Sequence, residues 1–259
     1  MNDTNKVKFL QTTTGNQLAY QYFPGKGPTV VFLGGYASDM SGSKAEWLSS
    51  HCADNGRAYL RFDYSGHGQS TGEFDRGTIG QWMEDALFVI EYCTTGKLIL
   101  IGSSMGGWIM LLIATVLKDR LFGLIGIAAA PDFSEDLMWS QFDDETRKKL
   151  INEGIIYLPS DYTEQGIPLR REFIEDGRLH LVLRDPIKLH CPIRLLHGLL
   201  DSDVSADTAD KILHAVESDD VHVCYVKNAD HRFSSNENLL LLSDTLERLV
   251  RDEKMKGHE

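Results

Sequence analysis

Residues 98–107 read Leu98-Ile99-Leu100-Ile101-Gly102-Ser103-Ser104-Met105-Gly106-Gly107. Four apolar residues in a row, without polar alternation, are the pattern of a strand covered on both faces of its sheet. From Met105 to Lys118 the chain is apolar nearly all round, the pattern of a buried helix. Between the two stands Gly102-x-Ser104-x-Gly106, with a glycine two positions before and two after the serine. So sharp a turn from strand to helix strains its central residue, and the glycines let neighbouring backbones approach closely. The serine hydroxyl then stands at a helix N-terminus, where amide dipoles favour an oxyanion. Ser104 is therefore the candidate nucleophile. Ser103 lacks the glycine symmetry, and the bland alternative is a serine in an ordinary helix-start turn.

Outward from this turn, strand and helix signals alternate. Lys8–Thr13 and Gln17–Phe23 are β-like runs joined by Thr14-Gly15-Asn16, a hairpin. Pro24 to Pro28 reads as a turn, Thr29–Leu33 as a buried strand, Ser43–Asn55 as a helix ended by Gly56, Arg57–Phe62 as a strand, and Gly77–Thr94 as a helix closed by Gly96. Past the central helix, Leu121–Ala129 is another buried strand. From Pro131 to His190 the alternation stops. That stretch is polar and dotted with aromatics, helical in patches, with Gly/Pro breaks at Gly154–Pro159 and Gly166–Pro168. Alternation resumes with a strand at Ile193–His197, a helix at Ala206–Glu217, a strand at Val221–Val226 and a terminal helix at Glu237–Asp252, before a frayed KMKGHE end. This order predicts an α/β fold with a mostly parallel central sheet flanked by helices. It is one domain, with residues 1–131 and 191–259 as core and 132–190 as a small helical cap insertion. Such sheets carry their sites outside the carboxyl ends of the strands.

A nucleophilic serine needs a base, and the base an orienting acid, in the chain order serine, acid, histidine for a fold of this kind. His231 lies in the polar loop Asn228-Ala229-Asp230-His231-Arg232, past the last strand, and is the candidate base. His197, beside Gly198, reads as a hydrogen-bonded structural histidine, and His67, in a glycine turn, as structural too. The acid should follow the strand that ends at Gly198. Asp201 and Asp203 both qualify by position, with Asp132 after the preceding strand as a third. Asp201 has the better claim, because the helix signal begins near Ser205 or Ala206 and Asp203 is placed to cap it. The oxyanion hole needs two backbone N–H groups, for which the candidates are Met105 and Tyr36, the latter in Gly34-Gly35-Tyr36. Tyr36 packing on the core is the competing reading. The loop Asp63-x-x-Gly66-x-Gly68-x-Ser70 is no dinucleotide fingerprint and reads as a brace beside the site. No metal-ligand spacing and no phosphate loop occur, so neither metal nor cofactor is expected.

The chain has 259 residues, 42% of them hydrophobic, enough for a sizeable core. Its net charge of −12 repels phosphate backbones, which argues against nucleic acid as a partner. No apolar run is long enough for a membrane span. The first residues, MNDTNKVKFL, carry neither an apolar signal core nor Arg-rich transit character. Cys52, Cys93, Cys191 and Cys224 are scattered and read as reduced thiols, so a cytoplasmic location is expected. Oligomeric state is not readable.

The motif set Gly34-Gly35-Tyr36, Asp63-x-x-Gly66-x-Gly68-x-Ser70, Gly102-x-Ser104-x-Gly106, His197-Gly198-x-x-Asp201-x-x-Val204 and Asp230-His231 resembles the α/β-hydrolase superfamily. The runs RFDYSGHGQS, GSSMGGW, CPIRLLHGLLDSDV and LPSDYTEQGIPL look like one small group within it, that of the mitochondrial acyl-protein thioesterase and acyl-glucuronide esterase (α/β-hydrolase domain protein ten). The likeness covers residues 7 to 250. It implies the α/β-hydrolase fold and a serine hydrolase that cleaves esters or thioesters by a covalent acyl-enzyme. Ser104 would be nucleophile, His231 base and Asp201 acid, and the substrate a small molecule or an acylated protein. Two departures are the missing transit segment and Ser205 after Val204, where the superfamily often has Pro. Against this stand another chemistry on the same fold (haloperoxidase-like or lyase) and a non-catalytic binding module. In the insertion, Met138, Trp139, Phe142, Ile155, Ile156, Tyr157, Leu158 and Tyr162 either line an acyl pocket or pack the cap. Its Arg170, Arg171, Arg178, Arg184 and Lys188 are nearly cancelled by Glu172, Glu175, Asp176 and Asp185.

Overall fold

The computed structural model describes residues 6–13, 15–158 and 166–256. An eight-stranded sheet runs in the order β1-β2-β4-β3-β5-β6-β9-β10. Its strands are β1 (Lys8–Gln11), β2 (Gln17–Phe23), β3 (Lys26–Leu33), β4 (Arg57–Phe62), β5 (Leu98–Ser103), β6 (Leu121–Ile127), β9 (Ile193–Gly198) and β10 (Val221–Val226). β1 and β2 form the expected antiparallel hairpin, and β2 pairs antiparallel with β4. Every other pair in this sheet is parallel.

Alternate residues of the central strands feed two cores. Val31, Leu33, Leu98, Leu100 and Leu124 face one side, beneath α2 (Ile79–Cys93), α3 (Met105–Val116) and α6 (Asp207–Ala215). Val30, Phe32, Ile99, Ile101 and Ile125 face the other, beneath α1 (Ser43–Asp54) and α7 (Asn236–Lys256). Burial on both faces is why these strands read as unbroken apolar runs.

Several expectations are corrected. The turn at Pro24–Pro28 is shorter, because β3 already starts at Lys26, and its register shifts before Val30. The terminal helix continues to Lys256, through part of the expected fray. The insertion is not only helical. It holds a π-helical turn at Ser134–Trp139, α4 (Asp144–Glu153), α5 (Arg171–Leu179), and a separate antiparallel pair, β7 (Ile155–Leu158) with β8 (Ile167–Arg170). The segments that looked like Gly/Pro breaks are thus largely these two strands. Pro168 is tolerated because a two-stranded ribbon is all edge. Tyr162 and most of the LPSDYTEQGIPL run lie outside the described residues.

The insertion is tied to the core by polar contacts as well as apolar ones. Arg170 donates to Asp75 Oδ2 at 2.8 Å from Nε. Asp176 accepts the Gly80 amide at the start of α2 at 2.8 Å, where the helix dipole favours a carboxylate. Trp108 Nε1 donates to the His180 carbonyl at 2.9 Å.

Candidate active site

Parallel pairing brings the carboxyl ends of β3, β5, β9 and β10 to one edge, with Leu33 beside Gly102 and Gly198 beside Val226. The loops that follow carry Tyr36, Ser104, Asp201 and His231. Ser104 lies between β5 and α3 with φ 54° and ψ −121°, a left-handed strained conformation that costs about 1–3 kcal/mol. Three backbone bonds hold it there. Its N–H donates to the Ile127 carbonyl at 2.9 Å, and its carbonyl accepts from Gly107 at 2.8 Å and Ala130 at 3.0 Å. The flanking glycines are steric necessities. A Cβ on Gly106 would strike the Leu33 carbonyl oxygen, and one on Gly102 the Gly106 carbonyl.

His231 Nε2 is 3.0 Å from Ser104 Oγ, and His231 Nδ1 is 2.8 Å from Asp201 Oδ2. The Asp201 side chain is fully buried. Its Oδ1 accepts the N–H groups of Asp203 at 2.9 Å and Val204 at 2.8 Å. Burial alone would raise the Asp201 pKa. Hydrogen bonds from His197, His231 and the Val204 amide outweigh it and hold the carboxyl well below the usual carboxylate range.

The rival acids sit elsewhere. Asp203 is exposed, and α6 starts later, with Ala206 at its N-cap and no side-chain cap. The expected capping role of Asp203 is therefore corrected: Asp201 itself ties this turn. Asp132 is fully buried and accepts the amides of Val182 at 2.8 Å and Leu183 at 2.9 Å, so it fastens the end of the insertion. His67 donates from Nδ1 to the Ser65 carbonyl at 3.2 Å within an aromatic cluster. His197 is hydrogen-bonded, to the Val204 carbonyl at 3.0 Å, but its Nε2 is also 3.4 Å from Asp201 Oδ2. That second contact was not legible, because only the fold of the 199–204 turn creates it.

Gly35 packs on the serine: a Cβ there would stand 3.3 Å from Ser104 Cβ. Among the described residues the N–H groups of Tyr36 and Met105 make no protein hydrogen bond. The Tyr36 ring packs with Phe74, at 4.9 Å between centroids, and with Phe173 at 5.7 Å, so backbone position and core packing coexist. The Asp63 loop anchors the far end of this segment. Asp63 Oδ1 accepts the Met40 amide at 2.7 Å, and its Oδ2 accepts the Gln69 amide at 2.8 Å.

Ser104 and His231 open into a cleft of about 730 Å³, also lined by Tyr36, Ser38, Lys44 and Ile167. Ile167 is the insertion residue that reaches it among those described. Of the two readings of the insertion's greasy residues, Trp139, Phe142 and Ile156 follow the packing one. Trp139 lies against Phe142 and beneath the guanidinium groups of Arg147 and Arg178, and Ile156 is buried. Tyr157 is 59% exposed. Lys44 had no signal in the sequence, being one charge in the first turn of an amphipathic helix. Among the described residues no His/Cys/Asp/Glu group is arranged to hold a metal ion.

Comparisons with known proteins show the same fold. Residues 26–152 match the family described as serine aminopeptidase, S33 (Hydrolase_4). Palmitoyl-protein thioesterase ABHD10, mitochondrial, from Bos taurus is 37% identical over 245 residues, covering 94% of this chain and 80% of the relative. The protein of that name from Homo sapiens gives the same 37%, 94% and 80%. Among solved structures, alpha/beta hydrolase domain-containing protein 10 from mouse aligns with a TM-score of 0.89 at 35% identity, covering 95% of this chain and 99% of that one. A putative hydrolase from Agrobacterium vitis S4 also gives 0.89 at 35% identity, covering 94% and 98%.

Proposed function

Because the chain belongs to the α/β-hydrolase family of the ABHD10 palmitoyl-protein thioesterases and is a serine hydrolase, we propose that it cleaves carboxylic esters or thioesters through a Ser104–His231–Asp201 triad. The observation that carries this reading is the unbroken line from Asp201 Oδ2 to His231 Nδ1 at 2.8 Å and from His231 Nε2 to Ser104 Oγ at 3.0 Å, ending on a strained serine. Ser104 Oγ attacks the acyl carbon as its proton passes to His231 Nε2. The oxyanion forms against the N–H groups of Met105 and Tyr36. Collapse breaks the bond to the alcohol or thiol, which leaves with the His231 proton. Water then gives a proton to His231 and its hydroxyl to the acyl carbon, releasing the acid and restoring Ser104. Asp201 keeps the imidazole in the tautomer that can accept from serine and stabilises the cation formed.

The relatives' name points to acylated proteins as substrates, with small acylated molecules as the other source of the same bond. Residues 132–190 act as a cap through Ile167. A reducing compartment suits four cysteines that form no disulfide. Our reading is cytoplasmic, whereas the bovine relative is named mitochondrial, and cell fractionation separates the two. A fluorophosphonate probe should label Ser104, and Ser104→Ala should abolish labelling and lower kcat by about 10⁴- to 10⁶-fold. Labelling at Ser103, or near-native turnover in the variant, would sink the assignment.

A further inference from the structure

Lys44, in the first turn of α1, is the half-buried charge in the cleft that the mechanism does not use. Its Nζ donates to the Arg232 carbonyl at 2.5 Å. Among the described residues no carboxylate oxygen lies within ion-pair distance of it. Four arginines of the insertion are in the opposite condition. Arg170 holds Asp75, Arg171 holds Glu175, Arg178 holds Glu135 and Arg184 holds Asp136. A cation taken partly out of water with no carboxylate in contact is costly, and an anion that arrives beside it recovers part of that cost.

Its position selects which part of a substrate it meets. The leaving group departs toward His231 Nε2, which returns its proton. Lys44 bonds the carbonyl of Arg232, the residue next to His231, and lines the same cleft as Ser104 and His231, so it stands beside the loop whose histidine hands the leaving group its proton. The geometry points to Lys44 as a specificity residue that receives a carboxylate on the leaving group of the ester or thioester. This rests on the hydrolase reading above.

The charges around Lys44 are compatible with that role. Asp230 attracts it and Arg232 repels it, while burial is the largest influence and lowers its pKa to about 8. Asp39 also lines the cleft, but its Oδ1 is engaged by the Ser41 amide at 2.8 Å and the Ser41 hydroxyl at 2.5 Å. Lys44 is thus charged at neutral pH and loses its charge as pH rises past about 8. Preference for an anion should fade in the same interval.

The test uses two matched pairs. One is an S-octanoyl cysteine peptide with Glu or Gln after the cysteine, read by thiol release. The other is 3-carboxy-4-nitrophenyl octanoate against 4-nitrophenyl octanoate, each corrected for its alkaline hydrolysis rate. In the wild type, kcat/KM should favour the carboxylate member of at least one pair. Lys44→Met should lower that ratio about 10- to 100-fold, the range for one charge-assisted hydrogen bond, and Lys44→Arg should retain most of it. The responding pair tells whether the carboxylate belongs to a protein or to a small molecule. Should Lys44→Met fail to fold, the wild-type ratio between pH 7 and 9 carries the test, and it should fall. Equal rates within both pairs, or a ratio unchanged in Lys44→Met, overturn the role of Lys44 while ester hydrolysis stands. No turnover of any substrate and no labelling of Ser104 would instead strike the hydrolase reading.

Discussion

Replacing Asp201 by asparagine tests the proposed chemistry at its least exposed point. The carboxylate has two unlike sides. Oδ1 accepts two backbone amides, from Asp203 at 2.9 Å and Val204 at 2.8 Å, whereas Oδ2 meets His231 Nδ1 at 2.8 Å. An asparagine must choose which side keeps the oxygen. Turning its NH2 toward the two amides leaves both N–H groups without an acceptor, at about 1–3 kcal/mol each, against one short bond from His231 and the longer 3.4 Å contact of His197 on the other side. The NH2 therefore faces His231 and donates to Nδ1. The imidazole proton is driven to Nε2, where the Ser104 proton has to go. Reversing the tautomer in this way costs about 10⁴ in kcat in a serine triad. The assay is kcat on a p-nitrophenyl ester, with the rate of fluorophosphonate labelling and the melting temperature measured on the same preparation. A folded Asp201→Asn protein with kcat within tenfold of wild type would refute the reasoning. Asp203→Asn is the control: exposed and not a cap, it should change stability by no more than about 0.5 kcal/mol.

Gly106→Ala should destabilise by about 1–3 kcal/mol or more, because its Cβ meets the Leu33 carbonyl, a backbone atom that cannot swing aside. A melting temperature equal to that of the wild type would contradict it. Asp132→Ala leaves the amides of Val182 and Leu183 without their acceptor, at about 1–3 kcal/mol each. Limited proteolysis should then cut within residues 132–190 faster than in the wild type, and an unchanged digest would count against the clamp. Glu247 has its pKa lowered chiefly by Arg57, with His51 adding to it. Its stabilisation is present above its unfolded pKa of about 4.3 and disappears as pH falls through the lower folded value. The melting-temperature gap between wild type and Glu247→Gln should therefore close between pH 6 and pH 3. A gap constant across that range would exclude the linkage.

The central strands and the serine turn were legible because burial on both sheet faces writes unbroken apolar runs, and because the glycines at 102 and 106 answer to backbone contacts, not to taste. His231 and Asp201 were legible by loop position. What escaped reading depended on contacts made across the chain. β7 and β8 are four residues each, too short for periodicity, and one contains Pro168. Asp203 looked like a cap because a nearby helix start was visible, whereas the turn that gives Asp201 both amides was not. Asp132 finds its partners some fifty positions away, at Val182 and Leu183. The fate of the aromatic residues in the insertion depended on arginines seated over Trp139, which no local pattern announces.

β6 and β9 lie side by side, Leu124 opposite Ile193, although residues 128–192 separate them in the chain. Doubling or halving such a connection alters its closure cost by only about 0.6 kcal/mol. Mutation can therefore lengthen, trim or rewrite that stretch without disturbing the register of the sheet, provided the Asp132 anchorage is kept or replaced. Ser104 departs from a strand before the excursion, and Asp201 and His231 from strands after it. Lineages with this architecture are free to explore new substrates in the excursion while the proposed triad stays where it is.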